Sequence, residues 1–295
     1  MLWAVLALGT AFFEAIKDAL SKGQLILGDE YLLAWSYCVF ALPLTGAYLW
    51  WEGIPAIGSD FGWALAAGVA LNLVAVTLYM RAIKASELSL TLPMLTFTPL
   101  FMLITSPLIL GEFPDRWGGL GMLLIISGAY LLNLRPTSAS LGANSGISLL
   151  APFRALWNDP GPRVMLLVAF IWSFTANIDK VGVINSSPAF WLFCFFMAMS
   201  LGLSPVVLIK SRRPFLRLRQ NFRALFLVGL FGSLALVLQM WALTLTLAAY
   251  VVSIKRMSVV FGVLFGHVMF GEKDLTRKLL CAALMVAGVG LIALN

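Results

Sequence analysis

The sequence predicts an all-α polytopic membrane protein, with ten transmembrane helices arranged as two inverted five-helix repeats. Three observations lead there: composition, the length of the apolar runs, and a likeness between the two halves. Of 295 residues, 61% are hydrophobic and 11% are charged, with a mean hydropathy of +0.96. Ordinary soluble domains carry about 25% charged residues. The apolar runs are continuous and near bilayer length, about 20 residues for a helix across roughly 30 Å of hydrocarbon. They are too long for the alternating strands of a membrane β-barrel.

The first run, residues 2–20, has no basic residue before it and no small-residue cleavage pattern after it. It is therefore read as a span, not a cleaved signal. Glu14 and Asp18 lie four apart on one helix face, and Lys17 lies three from Glu14, so this span neutralises its own charge in part. Further spans are predicted at residues 31–51, 61–83, 88–110 and 117–134. Asn72 and Tyr79 fall seven apart on one face of the third. The fourth contains Pro93, Pro99 and Pro107, with Thr96 and Thr98 at its centre. Proline frees backbone carbonyls, which fits either a static kink or a helix bent around a cavity.

Residues 135–163 form the longest polar interval, rich in Ser, Asn and Gly and ending in Asp159-Pro160-Gly161-Pro162. That composition predicts a linker. Within it, residues 147–157 suit a short segment on the membrane surface. The second set of spans follows at residues 164–181, 189–209, 224–246, 248–270 and 277–294. The organisation is thus a first repeat (1–134), a linker (135–163) and a second repeat (164–295).

The halves match at a shift of about 160 positions. Gly111-Glu112 ends the fourth span and Gly271-Glu272 the ninth. Met80 and Ala82 meet Met240 and Ala242; Gly128 and Leu131 meet Gly288 and Leu291. A slightly smaller shift pairs Trp35, Cys38 and Phe40 with Trp191, Cys194 and Phe196, and Lys22 with Lys180. A duplicated unit with an odd number of spans enters the bilayer in opposite senses in its two copies. The charges agree. Residues 52–60 hold no Lys or Arg, whereas their counterpart holds Lys210, Arg212, Arg213, Arg217, Arg219 and Arg223. Most of the 20 basic residues fall on this second side, which the positive-inside rule makes cytoplasmic, with both termini outside.

The net charge of +7 is a topology signal rather than a nucleic-acid footprint, since the aromatic interleaving of a single-strand binder is absent. Cys38, Cys194 and Cys281 lie in apolar runs without metal-ligand spacing, so neither a metal, a disulfide nor another cofactor is expected. The one histidine, His267, suits packing or an interface better than a proton relay. Glu112 and Glu272 suit helix ends or gates first and proton sites second.

The ninth span holds the feature that needs a reason. Lys255 and Arg256 stand side by side about two turns in, where a basic residue costs on the order of 2.5–3.5 kcal/mol on insertion scales. One reading pairs them with Glu14, Asp18 or Asp179 in a network that fixes packing. The other leaves positive charge facing a wet cavity, where the Arg fork and the Lys point charge hold an anion. Tyr250 and Ser253, within a turn or so of Lys255, are candidate ligands, as is Asn177 in the sixth span. Asp179 and Lys180 point roughly 100° apart on their helix, so each needs a different partner.

Ten spans in two copies, each with Gly-Glu after its fourth span and Lys near the end of its first, resemble the drug/metabolite transporter superfamily and its EamA-like members. The likeness covers essentially the whole chain. Lys255-Arg256 in SIKRMSVV resembles the ninth-span pair that holds phosphate in triose-phosphate and related organophosphate translocators. Lys180 in ANIDKVGV matches a sixth-span Lys that also contacts the phosphate there. The remainder is more similar to bacterial EamA proteins, which implies a bacterial inner membrane and cytoplasmic termini, against the charge count.

The resemblance implies a secondary transporter of a small polar, anionic metabolite (phosphorylated or carboxylate) working by alternating access. No Gly-rich run ends in Gly-Lys-Ser/Thr, so ATP is not its energy source. Exchange for another anion, or protons carried by Glu14, Asp18 or Asp179 beside Lys17, supplies it instead. The partners expected are this small molecule and the lipid bilayer; oligomeric state is not legible. An exporter of amino acids or toxic amphiphiles is the alternative, with some of the 10 Trp and 21 Phe lining its cavity. An intramembrane enzyme is disfavoured, because no nucleophile or metal constellation is present.

Overall fold

The computed structural model describes residues 1–25, 30–86, 91–133, 150–211, 214–270 and 275–294. Glu272 and the side chains of Lys22 and His267 lie outside the described residues. The described chain is helical: α1 (Leu2–Leu25), α2 (Glu30–Glu52), α3 (Phe61–Ala85), a 3-10 helix (Leu92–Phe97), α4 (Thr98–Leu110), α5 (Arg116–Asn133), α6 (Ala151–Asn158), α7 (Pro160–Ile184), α8 (Pro188–Lys210), α9 (Pro214–Gln220), α10 (Phe222–Leu245), α11 (Ala248–Lys255), α12 (Ser258–Phe270) and α13 (Leu275–Leu294).

Among the described residues, six helical stretches are long and apolar enough to cross a membrane: Tyr31–Glu52, Phe61–Ile83, Leu92–Leu110, Pro160–Ile184, Pro188–Lys210 and Phe222–Leu245. Arg116–Leu132 and Leu280–Leu294 are apolar but shorter. Although α1 is 24 residues long, it stands apart from these six because Glu14, Lys17 and Asp18 interrupt its apolar sequence. The short segment expected within residues 147–157 is α6, which packs on α7.

Two spans expected to be uniform α-helices are not: the fourth changes helix type without a gap, and the ninth is interrupted. In the fourth, a 3-10 turn precedes α4. Pro99 has no N–H for the Leu95 carbonyl, and Thr98 satisfies that carbonyl with both its backbone N–H and its hydroxyl, at 2.8 Å. In the ninth, α11 stops at Lys255 and α12 begins at Ser258. No proline or glycine stands at this break. The backbone tightens instead, with Arg256 N–H donating to Ser253 O (3.0 Å) and Met257 N–H to Ile254 O (2.9 Å). Ser253 adds a back-bond to Ala249 O at 2.7 Å, of the kind that bends helices. Such a break is tolerated at membrane depth only inside protein or beside a cavity.

The bundle is held by cross-pairing between halves of the chain. α1 packs on α10, α3 on α7, α2 on α8, and α5 on α13. Lipid tails are as apolar as leucine, so such contacts depend on close van der Waals approach and small residues. Gly121 and Gly288 show this. A Cβ on Gly121 would stand 2.6 Å from Gly288 O, and one on Gly288 would stand 2.5 Å from Gly121 O. Farther along, Gly128 faces the Cys281 carbonyl and Met285. Gly288→Val is expected to cost about 1–3 kcal/mol through overpacking, seen as a lower melting temperature in detergent. An unchanged melting temperature would show that α5 and α13 are not seated backbone to backbone.

Candidate functional site

The break in the ninth span brings its two basic residues against α1 and α10. Glu14 and Lys17, on one face of α1, form an ion pair at 2.7 Å, and Lys17 also reaches Asp18 at 3.1 Å. Lys255 joins through the same Glu14 oxygen at 3.7 Å. Its Nζ donates a hydrogen bond to Gln239 Oε1 of α10 at 3.0 Å. The side chains of Glu14, Lys17 and Lys255 are 17, 20 and 21% exposed, and that of Asp18 is 60% exposed. The cluster therefore lies inside the bundle with one carboxylate reachable by solvent.

Arg256 differs from its neighbour. Its Nε is buried and has no hydrogen-bond partner in the protein; among the described residues Ser200 Oγ is the only other such side-chain atom. Glu14 and Asp18 bear on Arg256 electrostatically, but both already pair with lysines. Two carboxylates thus face two ammonium groups, and the guanidinium adds a charge that none of these pairs absorbs. Asp179 does not absorb it by contact either. Its Oδ1 accepts a hydrogen bond from Trp191 Nε1 at 3.2 Å, and Lys255 is the basic residue that acts on it electrostatically.

The other candidates from the sequence fall elsewhere. Lys180 is an ion-pair partner of Glu112 and donates to the Thr246 carbonyl at 2.6 Å. Asn177 is engaged between α4 and α7: Nδ2 donates to Thr105 Oγ1 (3.0 Å) and Ser173 O (2.8 Å), and Oδ1 accepts from Ser106 Oγ (2.8 Å). The Tyr250 hydroxyl donates to Asp115 Oδ1 at 2.8 Å and accepts from the Asp115 N–H at 3.2 Å. Ser253 spends its hydroxyl on its own helix. The structure thus gathers Glu14, Lys17, Asp18, Lys255 and Arg256. Lys180, Tyr250, Ser253 and Asn177 make their hydrogen bonds away from that cluster.

A family model described as the EamA-like transporter family matches residues 1–134 and 160–294. The chain belongs to the EamA-like transporter family. That places it in the drug/metabolite transporter superfamily and makes it a multi-pass integral membrane transporter. A solved structure described only as "Crystal structure of protein" has a TM-score of 0.74 with this chain. The match covers 99% of this chain and 96% of that one at 13% identity, a likeness of fold. No curated protein matches it.

Within this EamA-like chain, several partners of the candidate residues carry little signal in sequence. Gln239 holds Lys255, yet a lone polar residue in an apolar helix is more often helix–helix glue. Tyr37 lies beside Lys17: a Cβ on Gly232 would meet the Tyr37 ring at 2.2 Å and the Lys17 stem at 3.1 Å. Gly232 therefore makes room for both, a role visible only once α1, α2 and α10 are assembled. Trp191, the partner of Asp179, stands 12 residues from it on the next helix, too far for a local motif. The arrangement leaves one buried guanidinium N–H unsatisfied near a lysine ammonium held by Gln239 and Glu14.

Proposed function

We propose that the chain is a secondary active transporter of a small anionic metabolite, phosphorylated or carboxylate. It works by alternating access between two inverted five-helix repeats. The observation that carries the anionic substrate is the buried, unpartnered Nε of Arg256 beside the fixed ammonium of Lys255. A buried guanidinium N–H without an acceptor costs free energy in the free protein, and an anion recovers that cost on binding.

The repeat reading is supported by the two irregular spans, the fourth and the ninth. Thr98–Leu110 and Ser258–Phe270 are 13 residues each and stand about 160 positions apart, the shift that relates the halves. Paired irregularities of this kind point to a transporter's binding site. The helix pairs are interchanged by the same exchange of halves: α1 with α10 becomes α7 with α3, while α2–α8 and α5–α13 map onto themselves. The two family matches flank the polar interval.

The test is a thermal-shift screen of sugar phosphates, nucleotide sugars, organic acids and amino acids on the purified protein. A stabilising anion is the expected result; stabilisation by amino acids or cationic amphiphiles alone would favour the exporter reading. The energy source follows from vesicles. An exchanger takes up labelled anion only when the vesicles are preloaded, whereas uptake into empty vesicles that follows an imposed proton gradient indicates proton coupling.

A further inference from the structure

We propose that Glu112 and Lys180 are positioning residues that latch the half-helix α11, so that the Glu112 end of the bundle and the Lys255 site are the two ends of one rigid segment. This rests on the transporter reading above. α11 has eight residues, a rod about 12 Å long, with Ala248 through Ile254 all buried. It has a joint at each end. Before it, Leu247 is extended and offers no side-chain cap; after it comes the break at Arg256.

The missing cap is supplied from another helix. Glu112 Oε2 accepts the Ala248 N–H at 3.0 Å, which places a carboxylate at the positive end of α11. Its other oxygen pairs with Lys180 of α7, and Lys180 also holds the Thr246 carbonyl at 2.6 Å, just before α11. Glu112 and Lys180 are 15 and 9% exposed. Gly111 makes the geometry possible. With φ +67 it ends α4 in the left-handed region, turning Glu112 out of line with α4.

The same end of the bundle is tied by Tyr250 to Asp115. Gly58 N–H to Asn185 O at 2.8 Å and Trp241 Nε1 to the Tyr48 hydroxyl at 2.6 Å tie it further. The Glu112–Lys180 group caps the first residue of the segment whose last residue is Lys255. Releasing it leaves Tyr250–Asp115 as the tie at this end of α11, about which the segment pivots and carries Lys255 with it.

The test places a cysteine at Ala249, which is buried in α11, in full-length protein with Cys38, Cys194 and Cys281 replaced by alanine. A membrane-impermeant maleimide is added to sealed vesicles of each orientation. Labelling is expected to be slow from the Glu112 face with the latch intact. It should become at least tenfold faster from that face in Glu112→Gln and in Lys180→Met, and return to slow in Lys180→Arg. A labelling rate unchanged within twofold in folded variants, or one that rises equally from both faces, overturns the proposal. Monodisperse elution identifies folded variants, and Lys180→Gln replaces Lys180→Met where the latter fails. No substrate is involved, so an unchanged rate removes the latch without touching the anion reading. Failure of every anion to bind removes that reading without touching the labelling result.

Discussion

Arg256→Ala is expected to weaken binding of the substrate anion roughly a hundredfold, while the protein melts at the same temperature or slightly higher. The bound-state loss is about 3 kcal/mol, the scale of hydrogen bonds to a charged group with a bidentate donor. The free-state effect has the opposite sign. Arg256 Nε has no partner to lose, and removing a buried unsatisfied donor relieves a cost. Lys255→Ala should differ. It too weakens binding, but it lowers the melting temperature, because it strips Gln239 of its hydrogen bond and Glu14 of one of its two lysines. Titration calorimetry and melting curves on both variants separate the roles. Unchanged affinity in Arg256→Ala, or a melting loss equal to that of Lys255→Ala, would return the pair to a packing role.

Glu14→Ala is expected to destabilise the fold by about 3–5 kcal/mol, the scale for removing one partner of a buried pair. Glu14 is 17% exposed and sits between Lys17 and Lys255. Its loss leaves three cations, Lys17, Lys255 and Arg256, facing Asp18 alone among the α1 carboxylates. Solvent reaches Asp18, so its screening limits how much it compensates. Combining Glu14→Ala with Lys17→Met should recover much of the loss, because the pair is removed together. Melting temperatures of the single and double variants in detergent measure this. Additive losses would show that the α1 ion pair does not couple its members.

Particular residues show how far the sequence went. The Glu14–Lys17 pair was legible, because positions three and four apart on a helix meet whatever the surroundings. The separate fates of Asp179 and Lys180 were legible in direction, since neighbours on a helix diverge. Their partners, Trp191 and Glu112, were not, because nothing local connects residue 180 to residue 112. Lys180 illustrates the limit. Its place near the end of a span matched a substrate contact by resemblance, whereas the assembled helices set it against Glu112 and the Thr246 carbonyl. Tyr250 likewise stands within a turn or so of Lys255 in sequence, yet its hydroxyl is taken up by Asp115.

The Ala248–Lys255 segment and its break mark the boundary most clearly. The sequence by itself determined that a pair of cations lies within an apolar run, that the run is matched about 160 positions earlier, and that the match has Leu95 and Thr96 where Lys255 and Arg256 stand. Composition, period and internal likeness are properties of one chain read locally, so they survive without coordinates. Tertiary structure decided that regular α-helix begins at matched positions in the two spans, Thr98 and Ser258, so that the irregularity before it belongs to both halves and the charge to one. It also decided which cation is held and which is left with a buried N–H unpartnered. That choice depends on where Glu14 and Gln239 arrive when separate helices pack, and side-chain pairing across helices is fixed only by that packing.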